Sequence, residues 1–333
     1  MAVLCWIYLA AVLAVWGLLY QEGDRWWLAT VLLFAPRWLW GIPLVALVPL
    51  ALALRRCSLA PLALAAACVV LAIMGFCVPW AKLAGGRDGQ RLRVLTCNVG
   101  GQGFAPIALR SLVVQSAPDV VVLQECGSDE WLKQVVPANW HVARSDGLIV
   151  ASRYPLTDRD TSTRVHPRSG LQFANGLLCE IKLPNGRVGV CNLHLRTPRE
   201  GLEEVLDRKT GVAPARSWLL RADIDFRRAE SEAAAAWLSK QTGPLVIAGD
   251  WNMPVESRIY RQFWAGFANA FSQAGFGFGA TKITPLCRGS YGLRIDHVLF
   301  NSCCRAQNAW VAGDVGSDHL PLIADIVVLD QNE

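Results

Sequence analysis

The sequence predicts a mixed α/β domain preceded by a helical segment that crosses a membrane. Residues 1–80 consist mainly of long apolar stretches, and the remainder alternates short apolar runs with charged, helix-favouring segments. A strong turn, Pro184-Asn185-Gly186, joins two of the runs as a hairpin. Strands that alternate with helices are typical of a mixed sheet covered by helices. Periodicity alone does not distinguish one sheet from two stacked sheets.

Three apolar stretches near the N-terminus are long enough to cross a bilayer, which takes roughly 20 helical residues. We predict spans at about 2–20, 38–54 and 59–80. The stretch at 26–35 begins with two tryptophans and is expected at the membrane interface. Buried helices of a soluble protein are the alternative, but these stretches lack an amphipathic period.

The composition divides the chain into three parts. Residues 1–82 are the predicted anchor, 83–90 a short flexible linker, and 91–333 the α/β domain. The side of the membrane on which the domain lies stays open, because Arg55-Arg56 opposes several basic residues at the other end of the spans.

Charge and cysteine content exclude few classes of protein. The net charge is +5 and no block of Lys or Arg is present, so a nucleic acid partner is neither required nor excluded. The eleven cysteines form no Cys-X-X-Cys pair and no zinc-finger spacing. We therefore expect buried free thiols.

The elements of the domain follow from apolar runs and turn residues. Val120–Leu123 is continuously apolar, which suits a strand in the interior of a sheet. Strands are predicted at 92–97, 120–123, 148–151, 175–183, 187–195, 245–248, 294–300 and 322–329. Helices are predicted at 105–116 and over the charged, Ala-rich region 199–240, with a loop at 210–215.

Polar motifs stand at the ends of several of these runs. They are Thr96-Cys97-Asn98-Val99, Leu123-Gln124-Glu125, Asn192-Leu193-His194-Leu195, Gly249-Asp250-Trp251-Asn252, Arg294-Ile295-Asp296-His297 and Gly316-Ser317-Asp318-His319. Because strand ends of a packed α/β domain converge on one edge, these side chains are expected to meet. The set contains carboxylates, imidazoles and amides, but no Ser or Cys nucleophile with its own base. It suits metal-assisted hydrolysis of a phosphate ester.

This ordered set resembles the endonuclease/exonuclease/phosphatase superfamily, the DNase I-like proteins, over about residues 91–329. The most specific elements are Gly249-Asp250-Trp251-Asn252 and Ser317-Asp318-His319, with Ile295-Asp296-His297 between them. The resemblance implies a four-layer α/β sandwich, in which two stacked mixed β-sheets are flanked by helices. It also implies one or two divalent cations, Mg²⁺ with Mn²⁺ as the alternative, and oxygen-rich sites do suit hard cations.

The resemblance also implies roles for individual residues. Glu125 matches the principal metal ligand, Asn98 orients that ligand or contacts the phosphate, and Asp318 helps to bind metal. Asp250 orients or deprotonates the attacking water, and Asn252 donates hydrogen bonds to the charge that develops on the phosphate.

The remaining expected site residues act on the phosphate or the substrate. His319 pairs with Asp296, which fixes the imidazole tautomer, and His194 contacts the scissile phosphate. Arg153, in Ser152-Arg153-Tyr154-Pro155, matches a family segment and is expected to reach a phosphate, with a structural turn as the alternative. His297 is expected to point to the opposite face of its strand.

Two departures from the family pattern narrow the function. Gly100 stands where exonuclease III-like members have a metal-binding Asp, and Cys126 follows Glu125 where some nucleases have a basic residue. Long basic loops for duplex DNA are also lacking. These departures disfavour an abasic-site nuclease and leave DNase-like and phospholipase-like members.

The predicted protein is therefore a membrane-anchored, Mg²⁺-dependent hydrolase of a phosphodiester, with DNA or a phospholipid or inositol phosphate as substrate. The three spans resemble a bacterial membrane-anchored branch, which implies a multi-pass protein of the bacterial plasma membrane. The expected partners are the phosphate-ester substrate and the lipid bilayer, and no obligate protein partner is evident. The alternatives are a phosphomonoesterase acting on lipid or inositol phosphates, and a catalytically inactive, membrane-tethered binding module.

Overall fold

The computed structural model describes residues 1–82, 89–101, 103–165, 170–207, 214–286 and 289–329. By the contacts between residues, the chain forms two compact units. The helical unit contains Met1–Cys77, Pro198–Asp225 and Val255–Gln262, and the α/β unit contains Val78–Thr197, Phe226–Pro254 and Phe263–Glu333. Pro198–Asp225 and Val255–Gln262 thus group with the N-terminal helices. The division predicted from the sequence, at 83–90, placed both segments in the α/β domain.

The described residues form helices and strands in the following order. The helices are α1 (Ala2–Glu22), α2 (Trp27–Phe34), α3 (Ile42–Leu54), α4 (Leu59–Ala67), α5 (Pro106–Ser116), α6 (Asp129–Val135), α7 (Arg199–Val205), α8 (Ser217–Leu238), α9 (Arg258–Phe263) and α10 (Ala270–Ala274). The strands are β1 (Gly89–Asn98), β2 (Val120–Gln124), β3 (His141–Ser145), β4 (Leu148–Ser152), β5 (Leu156–Val165), β6 (Gln172–Leu183), β7 (Gly186–His194), β8 (Leu245–Asp250), β9 (Ala268–Asn269), β10 (Lys282–Leu286), β11 (Gly289–Leu293), β12 (Asp296–Phe300), β13 (Cys304–Val311) and β14 (Leu322–Leu329).

Three helical stretches are long and apolar enough to cross a membrane. They are Ala2–Glu22, Arg37–Leu54 and Arg56–Ile73. The third ends seven residues before the predicted end at 80, because Gly75 adopts φ 73°, a left-handed conformation that terminates helices. Most of the predicted linker lies outside the described residues, and Gly89 and Gln90 already belong to β1.

Polar contacts bind the segment at 255–262 within the helical unit. Arg37, which is buried, forms an ion pair with Glu256 (2.8 Å), and Ser257 Oγ donates to Asp24 Oδ2 (2.6 Å). The backbone N–H of Arg258 donates to Gly23 O (3.1 Å). Because an unpaired buried charge is costly, these partners hold the segment in place.

Two six-stranded mixed sheets form the core of the α/β unit. Their strand orders are β13-β14-β1-β2-β4-β3 and β5-β6-β7-β8-β12-β9. Each has one parallel pair, β1 with β2 and β7 with β8, between antiparallel neighbours. The sheets are stacked and flanked by helices, and α5 packs Leu109 and Val113 into the apolar core around β1 and β2. The predicted four-layer α/β sandwich is therefore confirmed.

The registers of the two parallel pairs bring the motifs together. Asn98 pairs with Gln124 at the end of β1 and β2, and His194 pairs with Asp250 at the end of β7 and β8. Asp296, at the start of the antiparallel β12, pairs with the same Asp250. The buried Gln124 amide also donates to Asn192 Oδ1 (2.8 Å), which links the two sheets beneath this edge.

Candidate active site

Glu125 turns from the end of β2 toward the site through an unusual backbone conformation. Its φ of 57° is left-handed, which costs a non-glycine residue energy and is common at functional sites. The Asn98 amide donates to Glu125 Oε1 (2.9 Å) and also to Asp250 Oδ2 (3.1 Å). Asn98 Oδ1 accepts the Gly100 N–H (2.9 Å). Asn98 therefore orients two carboxylates from different sheets.

The Glu125 carboxylate lies directly beside Gly100. A Cβ on Gly100 would lie 2.0 Å from Glu125 Oε2, closer than any real contact. A side chain at this position, where the exonuclease III-like pattern has an Asp, would require the Glu125 carboxylate to move. The space that a side chain would fill is taken by the Glu125 carboxylate itself.

Asp250 and Asn252 form a tight turn at the end of β8. The Asn252 backbone N–H donates to Asp250 Oδ1 (2.7 Å), and its side-chain amide donates to Leu195 O (2.9 Å) and Asp250 Oδ2 (3.2 Å). Asn252 has φ 51°. Gly249 permits the close approach of β8 to β7, since a Cβ there would lie 1.9 Å from Leu193 O. Asn252 holds Asp250 in this structure.

Asp296 and His319 form a buried dyad. His319 Nδ1 lies 2.9 Å from Asp296 Oδ2, and its Nε2 lies 3.7 Å from Asp250 Oδ2. Potential metal-binding atoms of Asp250, Asp296 and His319 all lie within 4.8 Å of one another. Ser317 Oγ donates to Asn98 O (2.8 Å) and so ties the His319 loop to β1.

His194 lies close to the carboxylates of both Glu125 and Asp250. Its Nε2 is 3.7 Å from Glu125 Oε1 and 3.9 Å from Asp250 Oδ2. Its backbone O accepts from Arg164 Nη1 (3.3 Å). This imidazole is placed to reach a group bound between Glu125 and Asp250.

Burial and neighbouring charge shift the pKa values of the site. Burial, reinforced by the Asp296 charge, raises the pKa of Asp250 to about 7. Burial alone would lower the pKa of His319, but Asp296 and Asp250 outweigh it and raise this pKa to about 9. Burial also lowers the pKa of His194 to about 4, with a contribution from Arg164. Near neutral pH, His319 is therefore charged and His194 is neutral.

Asp318 lies at the rim of the site with a cationic partner. Its Oδ1 is 3.9 Å from His319 Nε2, and its Oδ2 forms an ion pair with Lys282 Nζ. Lys282 opens β10, which the sequence analysis did not predict. A contact between segments 36 positions apart leaves no signal in a single sequence.

Thr281 is a second residue that the motifs did not reveal. Its Oγ1 accepts the backbone N–H groups of Ile295 (3.2 Å) and Asp296 (3.1 Å). Its backbone O accepts from Leu320 N (2.6 Å). Thr281 therefore holds both halves of the dyad from one side.

Arg153 does not reach this edge, which corrects the expectation that it contacts the substrate phosphate. β4 runs antiparallel to β2, with Ser152 opposite Val120, so Arg153 lies at the other end of the sheet. There its Nε pairs with Asp119 Oδ1 (2.8 Å) and its guanidinium covers the Tyr154 ring. These contacts favour the alternative, in which Arg153 has a structural role at the turn after β4.

His297 points away from the site, as expected. Its imidazole is buried, with Nε2 2.9 Å from Met253 O and Nδ1 3.2 Å from the Asn269 amide. It also lies edge-on to Trp251, at 5.4 Å between ring centroids. These contacts support the loop that carries Asn252 on the side that faces away from the site.

The donor set fits a hard divalent cation. Glu125 and Asp250 both place a carboxylate oxygen within hydrogen-bond distance of the same Asn98 nitrogen. Carboxylates this close repel one another unless a proton or cation intervenes. Oxygen donors of this kind are the ligands that Mg²⁺ and Mn²⁺ take in proteins.

Comparison with known proteins agrees with this fold. The model of the Endonuclease/Exonuclease/phosphatase family matches residues 95–319. Because this match covers most of the chain, the protein belongs to that family and is a hydrolase of phosphate ester bonds. Comparison with proteins of curated function gives no match.

Solved structures share the fold at low sequence identity. The endonuclease/exonuclease/phosphatase from Beutenbergia cavernae DSM 12333 is 20% identical, with a TM-score of 0.52 over 72% of this chain and 72% of that chain. A family protein from Bacteroides thetaiotaomicron is 14% identical, with a TM-score of 0.52 over 74% of this chain and 98% of its own. D. rerio TDP2, solved with a single strand DNA product, is 14% identical, with a TM-score of 0.51 over 71% and 99%.

Proposed function

We propose that the protein is a membrane-anchored, Mg²⁺-dependent phosphodiesterase that hydrolyses its substrate by direct attack of water. The observation that carries the proposal is the convergence of Asn98, Glu125, His194, Asp250 and His319 at one edge of the sandwich. Acids, bases and amide donors from both sheets surround one space there. No Ser or Cys among the site residues described above has a base of its own, so water is the nucleophile.

Asp250 is the proposed base for the attacking water. Its pKa of about 7 is close to neutral pH, where a general base is most effective. Hydrogen bonds from Asn98 and Asn252 fix the direction of its carboxylate. Asp250 therefore takes the proton of the water as the new P–O bond forms and the bond to the leaving oxygen breaks.

His319 and His194 are proposed to face the phosphate. The charged imidazole of His319, held by Asp296, donates through Nε2 to an oxygen that gains charge in the transition state. The neutral His194 supplies a second contact from the Glu125 side. Asn252 acts mainly through Asp250, because both hydrogens of its amide are already engaged.

Glu125 is the proposed principal holder of the metal, with Asn98 orienting its carboxylate. A bound Mg²⁺ or Mn²⁺ would polarise the phosphate oxygens and lower the pKa of water. The residues named above then position the water and the phosphate relative to that charge. Asp318 was also expected to bind metal. Its carboxylate forms an ion pair with Lys282, which competes with binding of a metal ion.

The three apolar helical stretches support a multi-pass membrane location, and the bacterial plasma membrane is the one that the resemblance implies. Resistance of the full-length protein to extraction from membranes by alkaline carbonate would support it. A reporter at the C-terminus would then give the side of the membrane. Release of the protein by carbonate would contradict the membrane location.

The catalytic proposal is tested on the full-length protein in detergent or nanodiscs, because segments 198–225 and 255–262 belong to the helical unit. We expect hydrolysis of bis(p-nitrophenyl) phosphate with Mg²⁺, loss of activity in EDTA, and a decrease of about 100-fold or more in Asp250→Asn. The same assay on single-stranded DNA, a phospholipid, an inositol phosphate and a phosphomonoester identifies the substrate class.

Three results would contradict the proposal. Turnover of no ester in the panel, together with intact Mn²⁺ binding, would indicate the inactive binding module. Equal turnover by wild type and Asp250→Asn would show that the activity arises elsewhere. A strong preference for the monoester would replace the phosphodiesterase by a phosphomonoesterase at the same site.

A further inference from the structure

An ammonium group is built into the rim of the site. Lys282 Nζ forms an ion pair with Asp318 Oδ2, and the Lys282 side chain is only 13% exposed, against 44% for Asp318. Most of the Lys282 side chain is thus buried, and it meets the more exposed carboxylate from the inner side. This differs from a pair of flexible surface side chains, which contribute little.

The backbone fixes the position of this ammonium. Lys282 forms an antiparallel bridge with His319, and Ile283 N donates to Asp318 O (3.1 Å). The preceding Thr281 binds the backbone of Asp296 through Oγ1 and accepts from Leu320 N through its carbonyl. The segment that orders the dyad therefore also places Lys282.

The two exposed carboxylates of the site differ in their partners. Asp318 meets an ammonium, whereas Glu125 Oε1 accepts from the neutral amide of Asn98 (2.9 Å). Gly100 and Gly101 lie beside them, with their Cβ positions 2.0 Å from Glu125 Oε2 and 3.3 Å from Asp318 Oδ1. The charge of Asp318 is balanced by an ammonium of this chain. Glu125 Oε1 has only the Asn98 amide at hydrogen-bond distance, with His194 Nε2 farther away at 3.7 Å, so its charge is open to an external cation.

We propose that Lys282 is an internal cation that covers Asp318, so that the enzyme binds one divalent ion, at Glu125, without Asp318 as a ligand. The proposal rests on the metal-dependent function proposed above and refines its site. It revises the expectation that Asp318 helps to bind metal. Lys282 is thus a positioning residue, which keeps the second carboxylate and the Ser317–His319 loop in place without a second metal.

Metal titration of the full-length protein tests this assignment without use of activity. Calorimetry and Mn²⁺ electron paramagnetic resonance should give one site in wild type. Asp318→Asn should change the dissociation constant less than about threefold, as should the control Glu130→Gln, which alters an exposed carboxylate of α6. Glu125→Gln should weaken binding at least tenfold, since it removes the charge of the proposed ligand.

Variants of Lys282 test the same assignment by changing the cation instead of the carboxylate. Lys282→Met exposes Asp318 to solvent cations, so a second, weaker Mn²⁺ should bind and should be lost again in Lys282→Met/Asp318→Asn. Lys282→Arg keeps the charge and should bind one ion. Thermal unfolding of each variant separates a loss of the fold from a change at the site.

The outcomes distinguish this inference from the proposed function. Two Mn²⁺ ions in wild type, or a tenfold loss of affinity in Asp318→Asn, would overturn the role of Lys282 and leave a metal-dependent hydrolase. A wild-type protein that binds no Mn²⁺ and hydrolyses no ester would overturn both. A single site that is insensitive to Asp318→Asn and a second site in Lys282→Met support the inference.

Discussion

The site has a buried half and an exposed half, and the two handle charge differently. The side chains of Asp250 and Asp296 are 1% exposed, whereas those of Glu125 and Asp318 are 49% and 44% exposed. The buried carboxylates are stabilised by His319 and by amide donors. The exposed carboxylates meet solvent, where a hydrated ion can exchange.

This difference in exposure suits the two halves to different roles, proton transfer in the buried half and metal binding in the exposed half. A proton must be held at a defined atom, and a buried, hydrogen-bonded group does this well because its pKa is set by its neighbours. A metal ion must enter and partly dehydrate, which an exposed carboxylate at a rim allows. We therefore expect variants of the buried half to change chemistry and variants of the exposed half to change metal binding.

The largest effect is expected from His319→Ala. Removal of the imidazole eliminates the proposed donor to the phosphate and leaves Asp296 without its partner, so kcat should fall by about 10²–10⁴-fold. Affinity for Mn²⁺ at Glu125 should change little by comparison. Steady-state kinetics and metal titration on the same sample check both statements. His141→Ala, on the exposed face of β3, is the control and should retain wild-type kcat.

The next effect is expected from Glu125→Gln. The variant keeps the shape of the side chain but removes its charge, so activity at limiting Mg²⁺ should fall roughly 10–100-fold or more. Part of the activity should return at higher Mg²⁺ concentration, which a Mg²⁺ titration of the rate measures. Glu130→Gln alters an exposed carboxylate of α6 and should leave the titration unchanged. An identical Mg²⁺ dependence in Glu125→Gln would place the metal elsewhere.

A related effect of smaller size is expected from Gly100→Ala. The new Cβ would lie 2.0 Å from Glu125 Oε2, so the carboxylate must move and the affinity for Mn²⁺ should decrease. Gly127→Ala, two residues beyond Glu125, is the matched control, since nothing lies within 4 Å of its Cβ position. Equal affinities in the two variants would show that the Glu125 carboxylate has room to move.

The buried half predicts a pH-dependent change in stability. Burial raises the pKa of Asp250 to about 7, above its usual 3.8, so the folded state binds this proton more tightly than the unfolded state. In EDTA, this proton contributes a loss of wild-type stability as the pH rises from 5 to 7, whereas His194, whose pKa is lowered to about 4, contributes a gain over part of the same range. Asp250→Asn lacks the Asp250 contribution and keeps that of His194, so its melting temperature should rise relative to that of wild type over this interval. Parallel curves for the two proteins would contradict the raised pKa.

Part of this site was predictable because its polar motifs directly follow continuously apolar, buried strands. The apolar runs before Asn98, Glu125 and Asp250 specify inner strands, and parallel inner strands end at one edge. The Asp296–His319 pair followed only from the resemblance, since their contact joins segments 23 positions apart.

The rest of the structure lacked such a signal. β5 is an edge strand made largely of polar residues, so it shows no apolar run. The hairpin of β10 and β11 is stabilised by contacts with the His319 loop, and these place Lys282 and Thr281. No local propensity reports contacts of this kind, which is why both residues were missed.

Arg153 gives the smallest predicted effect and tests how the site is delimited. Its motif follows an apolar strand, as the true site residues do, but β4 is antiparallel to β2 and ends at the opposite edge. Val120, opposite Ser152, lies four residues before Gln124, which is roughly 13 Å along the strand. Arg153→Ala should therefore leave kcat and KM within about twofold of wild type. The guanidinium is 50% exposed but Asp119 is only 7% exposed, so loss of the pair should cost about 1–3 kcal/mol of unfolding free energy, with the Arg93 N–H (2.6 Å) still bonded to Asp119. A tenfold increase in KM with unchanged stability would extend the substrate surface to this end of the sheet, and the division between buried and exposed charges would then describe only part of the site.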